Sequence, residues 1–223
     1  MKELYERQLD ILNPEEFKDV RIMVIGTGSV GSFVTLTLAK MGLKKIEVWD
    51  DDRIEEHNIA NQFYPLEDVG ELKVTALQDE IFRMSGLRSK GYCVKFNEKW
   101  KEEYKPFEVG LSDIVISAVD SMQARRDIWH IVKDRAKLYI DARMGGELMR
   151  VFTVKGQGDW NYYEETLKKD GVALPCTART IIYNVLSVAS IVALQVKKYL
   201  KDESVSREVT FDMKNMIFQV NRE

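Results

Sequence analysis

The strongest constraint on this chain is the run Arg21-Ile-Met-Val-Ile-Gly-Thr-Gly-Ser-Val-Gly31, answered by an acidic residue at Asp50. A short apolar stretch ends in Gly26, Gly28 and Gly31, and an amphipathic segment from Ser29 to Met41 follows at once. That order predicts a strand, a tight turn and a helix. The first two glycines let the turn close and let a pyrophosphate approach the backbone, while the third lets helix and strand pack closely. Phosphate oxygens would then meet N–H groups at a helix N-terminus. Asp50 ends the next apolar run, Lys45-Ile-Glu-Val-Trp-Asp50, and lies 24 positions after Gly26, close to the ~20 of a ribose-binding carboxylate. Two strands around the glycines and a closing carboxylate predict a nucleotide-binding half-sheet. The alternative is a glycine-rich turn that only packs.

Size and charge suit that expectation. With 223 residues and 45% hydrophobic content the chain can bury one substantial α/β core with small additions. Thirty-three basic against 36 acidic residues leave a formal charge of −3, so no nucleic-acid or anionic-membrane partner is expected. Met1 to Leu9 is too polar for a signal peptide, and the apolar segment Ile181 to Val196 is interrupted by Asn184, Ser187, Ser190 and Gln195. It reads as a buried helix. Cys93 and Cys176 are the only cysteines, too few for a disulfide framework or a four-cysteine zinc site, and a reducing cytoplasm is the expected setting.

The remaining elements follow in order. Glu3 to Leu12 reads as helical, and Asn13-Pro-Glu-Glu16 starts a second short helix, with Asn as cap and Pro at its first position. After a polar stretch to Pro65, a helix is expected from about Glu71 to Met84, with Leu72, Ala76, Leu77 and Ile81 on one face. Gly86 and Gly91 bracket a turn into a strand near Tyr92 to Asn97. Ile114 to Val119 has the continuous apolar character of a strand covered on both faces, with Asp120 at its carboxyl end. Ligands of open parallel sheets gather there, so Asp50 and Asp120 are expected to face one site. A helix from Gln123 to Ala136 precedes strands at Lys137 to Ala142 and Leu148 to Val154. Lys155 to Pro175 reads as a long glycine-containing loop, of the kind that is often functional. A helix near Arg179 to Leu200 and a hairpin about Lys214-Asn215 complete the chain.

Several residues form a pattern. Asp50 and Asp52, Asn58, Gln62, and Gly70-Glu-Leu-Lys73 come in that order, between Tyr5-Glu-Arg-Gln8 upstream and Ala118-Val-Asp-Ser121 with Arg125 and Arg126 downstream. The arrangement resembles the MoeB/ThiF group and the ubiquitin-activating enzymes related to it, with their D-x-D strand end, S-N-L-x-R-Q stretch, G-x-x-K helix start, Y-x-R-Q arm and A-x-D-x-x-x-x-R strand end. The likeness runs over most of the chain and is strongest from Arg21 to Lys73.

The resemblance implies a doubly wound, mostly parallel α/β domain with an N-terminal helical arm and a C-terminal antiparallel hairpin. Its activity would be ATP-dependent adenylation of the C-terminal carboxylate of a small ubiquitin-like or sulfur-carrier protein ending in a Gly-Gly-type sequence. A carboxylate is already a nucleophile, so the enzyme has to supply positioning and charge stabilisation. On this reading Lys73 and Arg7 neutralise phosphate charge, Asp120 holds a magnesium ion, Asp50 binds the ribose hydroxyls, and Asn58 and Gln62 orient phosphate oxygens or the incoming carboxylate. Arg7 would reach across a homodimer into the partner's site, and a downstream conjugating enzyme is a further expected partner. Taken singly, Lys73 reads as a solvated helix residue, Asp120 as a helix cap and Arg7 as surface charge.

Departures from the pattern also carry expectations. Asn61 stands where the family usually has arginine, with Arg53 as a possible substitute, and the family's paired C-x-x-C zinc motifs are absent. The length leaves no room for a separate cysteine or ubiquitin-fold domain. This suggests one minimal adenylation domain, divided into an arm (1–20), a nucleotide-binding core (21–154), a crossover loop (155–177), and a helix with hairpin (178–223). Leu174-Pro-Cys-Thr-Ala-Arg179 is similar to the segment around the catalytic cysteine of the family's autophagy member, which implies thioester formation on Cys176. A helix start and Arg179 nearby would favour its thiolate, whereas the alternative is a small buried apolar side chain. Cys93 and His130 read as structural, and His57 as a possible neighbour of the nucleotide. A nicotinamide-dependent oxidoreductase would explain Gly26 to Asp50 but leave Asn58, Gln62, Lys73 and Asp120 without a role. A non-catalytic nucleotide-binding module is the third reading.

Overall fold

Four short, largely apolar runs and one three-residue edge strand become the parallel part of one eight-stranded sheet, in the order β3-β2-β1-β4-β5-β6-β7-β8. They are β1 (Arg21–Ile25), β2 (Lys45–Trp49), β3 (Lys90–Tyr92), β4 (Ile114–Ser117) and β5 (Leu138–Gly145). Antiparallel strands β6 (Leu148–Val154), β7 (Glu208–Asp212) and β8 (Ile217–Asn221) extend the sheet beyond β5. The helices are α1 (Ser29–Lys40), α2 (Lys73–Ser85), α3 (Met122–Val132), α4 (Trp160–Lys168) and α5 (Ile182–Leu200). The computed structural model describes residues 3–97, 113–168 and 180–222.

Alternate residues of the buried strands feed two cores. Ile22, Val24, Ile114 and Ile116 pack against α1, α2 and α5 through residues such as Val34, Leu77 and Val192. Met23, Ile25 and Val115 face the other way, onto α3 and α4 through Ile128, Trp129 and Tyr163. Helices on both faces explain the unbroken apolar runs, since neither side of these strands meets water. Each fully buried Val, Ile or Phe contributes about 1.5–3 kcal/mol. The first crossover sends the chain from β1 to β2 and a later one brings β4 to the other side of β1. The crevice at the carboxyl ends of β1 and β4 therefore lies at the switch of strand order, where open sheets bind ligands. The expected doubly wound sheet with a C-terminal hairpin is the fold observed.

Some local expectations change. The expected loop after Lys155 contains a 3-10 turn at Gln157–Asp159 and the whole of α4. Its helix is amphipathic on a narrow stripe, with only Tyr163 and Leu167 buried, and its polar majority hides that stripe in the sequence. Gly91 lies within β3, because a Cβ there would come within 2.4 Å of Gln78 Oε1 on α2. The strand stops at Tyr92, the last residue paired to β2. Cys93 falls just beyond it and is exposed, against its expected packing role. α2 begins at Lys73 and ends at Ser85, followed by Gly86, whose φ of +73° makes a left-handed cap donating its N–H to Phe82 O at 2.8 Å. β5 runs on to Gly145, three residues past its expected end, held in register by β6.

The N-terminal arm is a pair of 3-10 turns, Glu3–Gln8 and Pro14–Phe17, the second capped by Asn13 as expected. Gln8 Nε2 donates to Met41 O at 2.8 Å, and Tyr5 and Pro14 pack at Gly42. This fastens the arm to the end of α1 away from the glycine turn.

Candidate functional site

The three glycines have different duties. Gly26 has a φ of +87°, and a Cβ there would lie 2.8 Å from Ala118 O, so the turn after β1 packs directly on the turn after β4. A Cβ on Gly31 would sit 1.8 Å from Gly26 O. Nothing comes nearer than Gln62 Nε2, at 4.0 Å, to a Cβ on Gly28. The first and third glycines are therefore required by packing, while the second opens onto free space. α1 begins after Gly28 with no side chain capping its first N–H groups, which leaves an anion-binding helix start facing that space.

Asp50 organises the same turn. Its Oδ2 accepts from Thr27 N at 2.6 Å and Thr27 Oγ1 at 3.0 Å, and its Oδ1 accepts from Asp52 N at 2.9 Å. An ionised carboxylate offers about four lone-pair sites, so acceptor capacity for ribose hydroxyls is left. Lys73, at the start of α2, is only 6% exposed and its Nζ lies 2.7 Å from Asp52 Oδ2. It is a buried ion-paired ammonium, and its reading as a solvated helix residue is overturned. Oxygens of Asp50, Asp51 and Asp52 lie within 4.8 Å of one another, with Asp50 also holding the turn and Asp52 paired to Lys73.

Residues 56–64 fold over the opening. Ser29 Oγ donates to Asn61 Oδ1 at 3.2 Å, Phe63 N to Ser32 Oγ at 3.0 Å, and the Tyr64 hydroxyl to Thr27 O at 2.6 Å. Burial pushes the Tyr64 phenol well above the usual tyrosine value, which keeps it a fixed donor. Asn58 is buried and its Oδ1 accepts from Glu55 N at 2.9 Å, so that oxygen shapes the segment. Gln62 reaches toward Gly28, and its Oε1 is buried with no hydrogen-bond partner. Asn61, in the place of the family arginine, takes the Ser29 hydroxyl. Arg53, its suggested substitute, donates to Gly70 O at 2.8 Å, which ties down the loop before Lys73. His57 is exposed beside Glu55.

Across the crevice Asp120 is exposed two residues beyond Ala118. The α3 cap is Ser121, whose Oγ accepts from Ala124 N at 3.1 Å, so capping is not the role of Asp120. Arg125 is buried; it donates to the Val119 carbonyl and pairs with Asp141 on β5. Arg143 and Tyr163 donate to the other oxygen of Asp141, at 2.6 and 2.9 Å. Burial opposes charge on Arg143, but Asp141 and Tyr163 outweigh it and hold the guanidinium pKa above its ordinary value. Thr27 and Tyr64 at the site, and Asp141, Arg143 and Tyr163 in the buried cluster behind it, were not expected. Only Thr27, inside the glycine run, carried a sequence signal.

One expected residue stands apart from the crevice. Arg7 is exposed on the arm, at the far end of the 12-residue α1, about 18 Å from the glycine turn at 1.5 Å per residue. Cys176 and Arg179 lie outside the described residues. His130 is exposed on α3. No described helix is long and apolar enough to cross a membrane.

Known proteins share this architecture. E. coli MccB, solved with AMPCPP and MccA, superposes with a TM-score of 0.77 over 98% of this chain and 71% of its own, at 16% identity. PaaA gives a TM-score of 0.78 over 99% and 82%, at 21% identity. At such identities the likeness is one of fold. In sequence, the NEDD8-activating enzyme E1 catalytic subunit of Arabidopsis thaliana is 35% identical over 111 residues, covering 49% of this chain and 23% of that protein. The sulfur carrier protein adenylyltransferase of Thermus thermophilus is 31% identical over 127 residues, 56% of this chain and 44% of that protein. The chain thus spans less than half the length of either relative. The ThiF family profile matches residues 5–223, nearly the whole chain, and the chain therefore belongs to the ThiF family.

Proposed function

We propose that this domain binds ATP in the crevice and adenylates the C-terminal carboxylate of a small ubiquitin-like or sulfur-carrier protein. The observation that carries the reading is the space at Gly28: an uncapped helix start and the Gln62 amide nitrogen border it, and Asp50 holds the turn just before it. The N–H groups suit phosphate oxygens, the Gln62 amide nitrogen can donate to one, and Asp50 can accept from ribose. In the reaction a carboxylate oxygen attacks the α-phosphorus, the bond to the bridging oxygen breaks, and pyrophosphate leaves with its electron pair. Neither step requires a proton from the enzyme. Lys73 offsets the growing phosphate charge once its ammonium turns from Asp52 or shares it. Asp120 fits magnesium, which favours one or two carboxylates together with substrate phosphates, and the ion would supply charge neutralisation as pyrophosphate departs.

The site of Arg7 supports a homodimer. An arm fastened about one α1 length from its own glycine turn would, on this reading, serve another copy. The carrier would then pass from the adenylate to Cys176 as a thioester, with AMP released, before a conjugating partner takes it. The test is carrier-dependent exchange of labelled pyrophosphate into ATP. Asp120→Ala and Arg7→Ala should each abolish it, and mixing the two inactive proteins should restore part of it, since hybrid dimers hold one complete site. Full exchange by Asp120→Ala, or tight binding of NAD with none of ATP, would overturn the reading.

A further inference from the structure

Asp141 is fully buried, outside the crevice, and collects three donors: Arg125 on one oxygen, Arg143 and Tyr163 on the other. Arg125 spends its second nitrogen on the carbonyl of Val119, the residue before Asp120. On the other side of that turn the backbone at Gly26 sits against Ala118 O. The turn that carries Asp120 is therefore gripped between Gly26 and Arg125. Arg143 also donates to Thr166 Oγ1 at 3.0 Å and stacks 4.4 Å above the Phe152 ring, which ties α4 to the same carboxylate.

Two guanidinium groups on one buried carboxylate are a costly way to fill space. Apolar side chains of similar volume often replace buried ion clusters with no loss of stability, or with a gain. What they cannot replace is the directed donor to Val119 O. Register reinforces the point, because Asp141 pairs with Ser117, the last residue of β4 before the turn.

We propose that Asp141 is a positioning residue for the adenylation site, acting through Arg125 to fix the turn that presents Asp120. The proposal rests on the adenylation reading, in which Asp120 serves the magnesium nucleotide. Asp141→Asn keeps the shape but removes the charge that aligns Arg125. The space at Gly28 is untouched by it, so nucleotide affinity without a divalent cation should survive.

The test titrates the whole chain with AMPCPP in EDTA and in magnesium chloride, and follows amide hydrogen exchange at 119–125. Asp141→Asn should keep its EDTA affinity within about twofold, lose about tenfold of the affinity that magnesium adds, and exchange faster at 119–125. A triple variant, Arg125→Met with Asp141→Leu and Arg143→Met, guards against simple unfolding. It should melt near wild type yet show the same loss. If the triple variant regains the magnesium effect together with its stability, or if Asp141→Asn keeps both the effect and slow exchange, the positioning role is wrong. A wild type with no magnesium effect would sink the role of Asp120 and this proposal together. A wild-type effect that Asp141→Asn retains sinks the proposal alone.

Discussion

Replacing each turn glycine by alanine should separate folding from nucleotide binding. At Gly31 the new Cβ would lie 1.8 Å from Gly26 O, 1.2 Å inside the 3.0 Å that such contacts require, and the obstacle is backbone. α1 and β1 must then move apart, and overpacking of this kind costs about 1–3 kcal/mol or more. At Gly26 the φ of +87° adds about 1–2 kcal/mol for a left-handed alanine to a 2.8 Å contact with Ala118 O. For a chain of 223 residues, each kcal/mol lowers the melting temperature by roughly 2–4 °C, so both variants should melt about 5–15 °C early. Gly28 has a negative φ of −71° and no neighbour within 4.0 Å of a new Cβ. Its alanine variant should change stability by less than about 1 kcal/mol. The added methyl group, however, stands where a phosphate would approach, and about a tenfold loss of affinity, or 1.4 kcal/mol, is the minimum expected. Circular dichroism melts and calorimetric titration with AMPCPP measure the two effects. Wild-type binding by Gly28→Ala, or a wild-type melt for Gly31→Ala, would refute this division of duties.

Two further outcomes are expected. Cys176→Ala should keep pyrophosphate exchange and lose any carrier adduct that survives denaturing electrophoresis and disappears with thiol, while Cys176→Ser traps a more stable oxyester; an adduct unchanged in Cys176→Ala would make the thiol structural. Glu47, 7% exposed on β2, has its carboxyl pKa raised by burial against the pull of Lys90 and Arg21. The folded state therefore holds this proton more tightly than the unfolded chain, and its ionisation removes stability as pH rises above the unfolded value of about 4.3. Glu47→Gln should melt a few degrees above wild type at pH 7 and show no such gain below about pH 4; a gain that persists in acid would point to packing.

The parts of the site that were legible before the structure are those whose chemistry is written into adjacent residues. Gly26, Gly28, Gly31 and Asp50 announce a turn because each conformational demand falls on one position of one short segment. Lys73 and Asp52 were both picked out, but not as a pair. They lie 21 residues apart, and only the folding of 53–72 back on itself, with Arg53 bridged to Leu72, brings the ammonium to the carboxylate. Asn58 was assigned to the ligand, and its Oδ1 orders its own loop through Glu55 N. Short-range patterns identify which residues are unusual; the three-dimensional neighbours decide what each is unusual for.

α4 and Asp141 show the same limit from the other side. A nine-residue helix with two buried positions has little periodic signal, and an aspartate inside an apolar strand reads as an interruption until its donors are known. Those donors come from three elements, Arg125 on α3, Arg143 on β5 and Tyr163 on α4. Once joined, they explain why an otherwise apolar β5 carries Asp141 and Arg143 on one face, two residues apart. That face looks toward the turn after β4, and the same carboxylate that holds Arg125 to Val119 O also anchors α4. On the adenylation reading the crevice is thus built twice: on the β2 side by a local motif suited to a nucleotide, and on the β4 side by a dispersed ion cluster that grips the turn carrying Asp120.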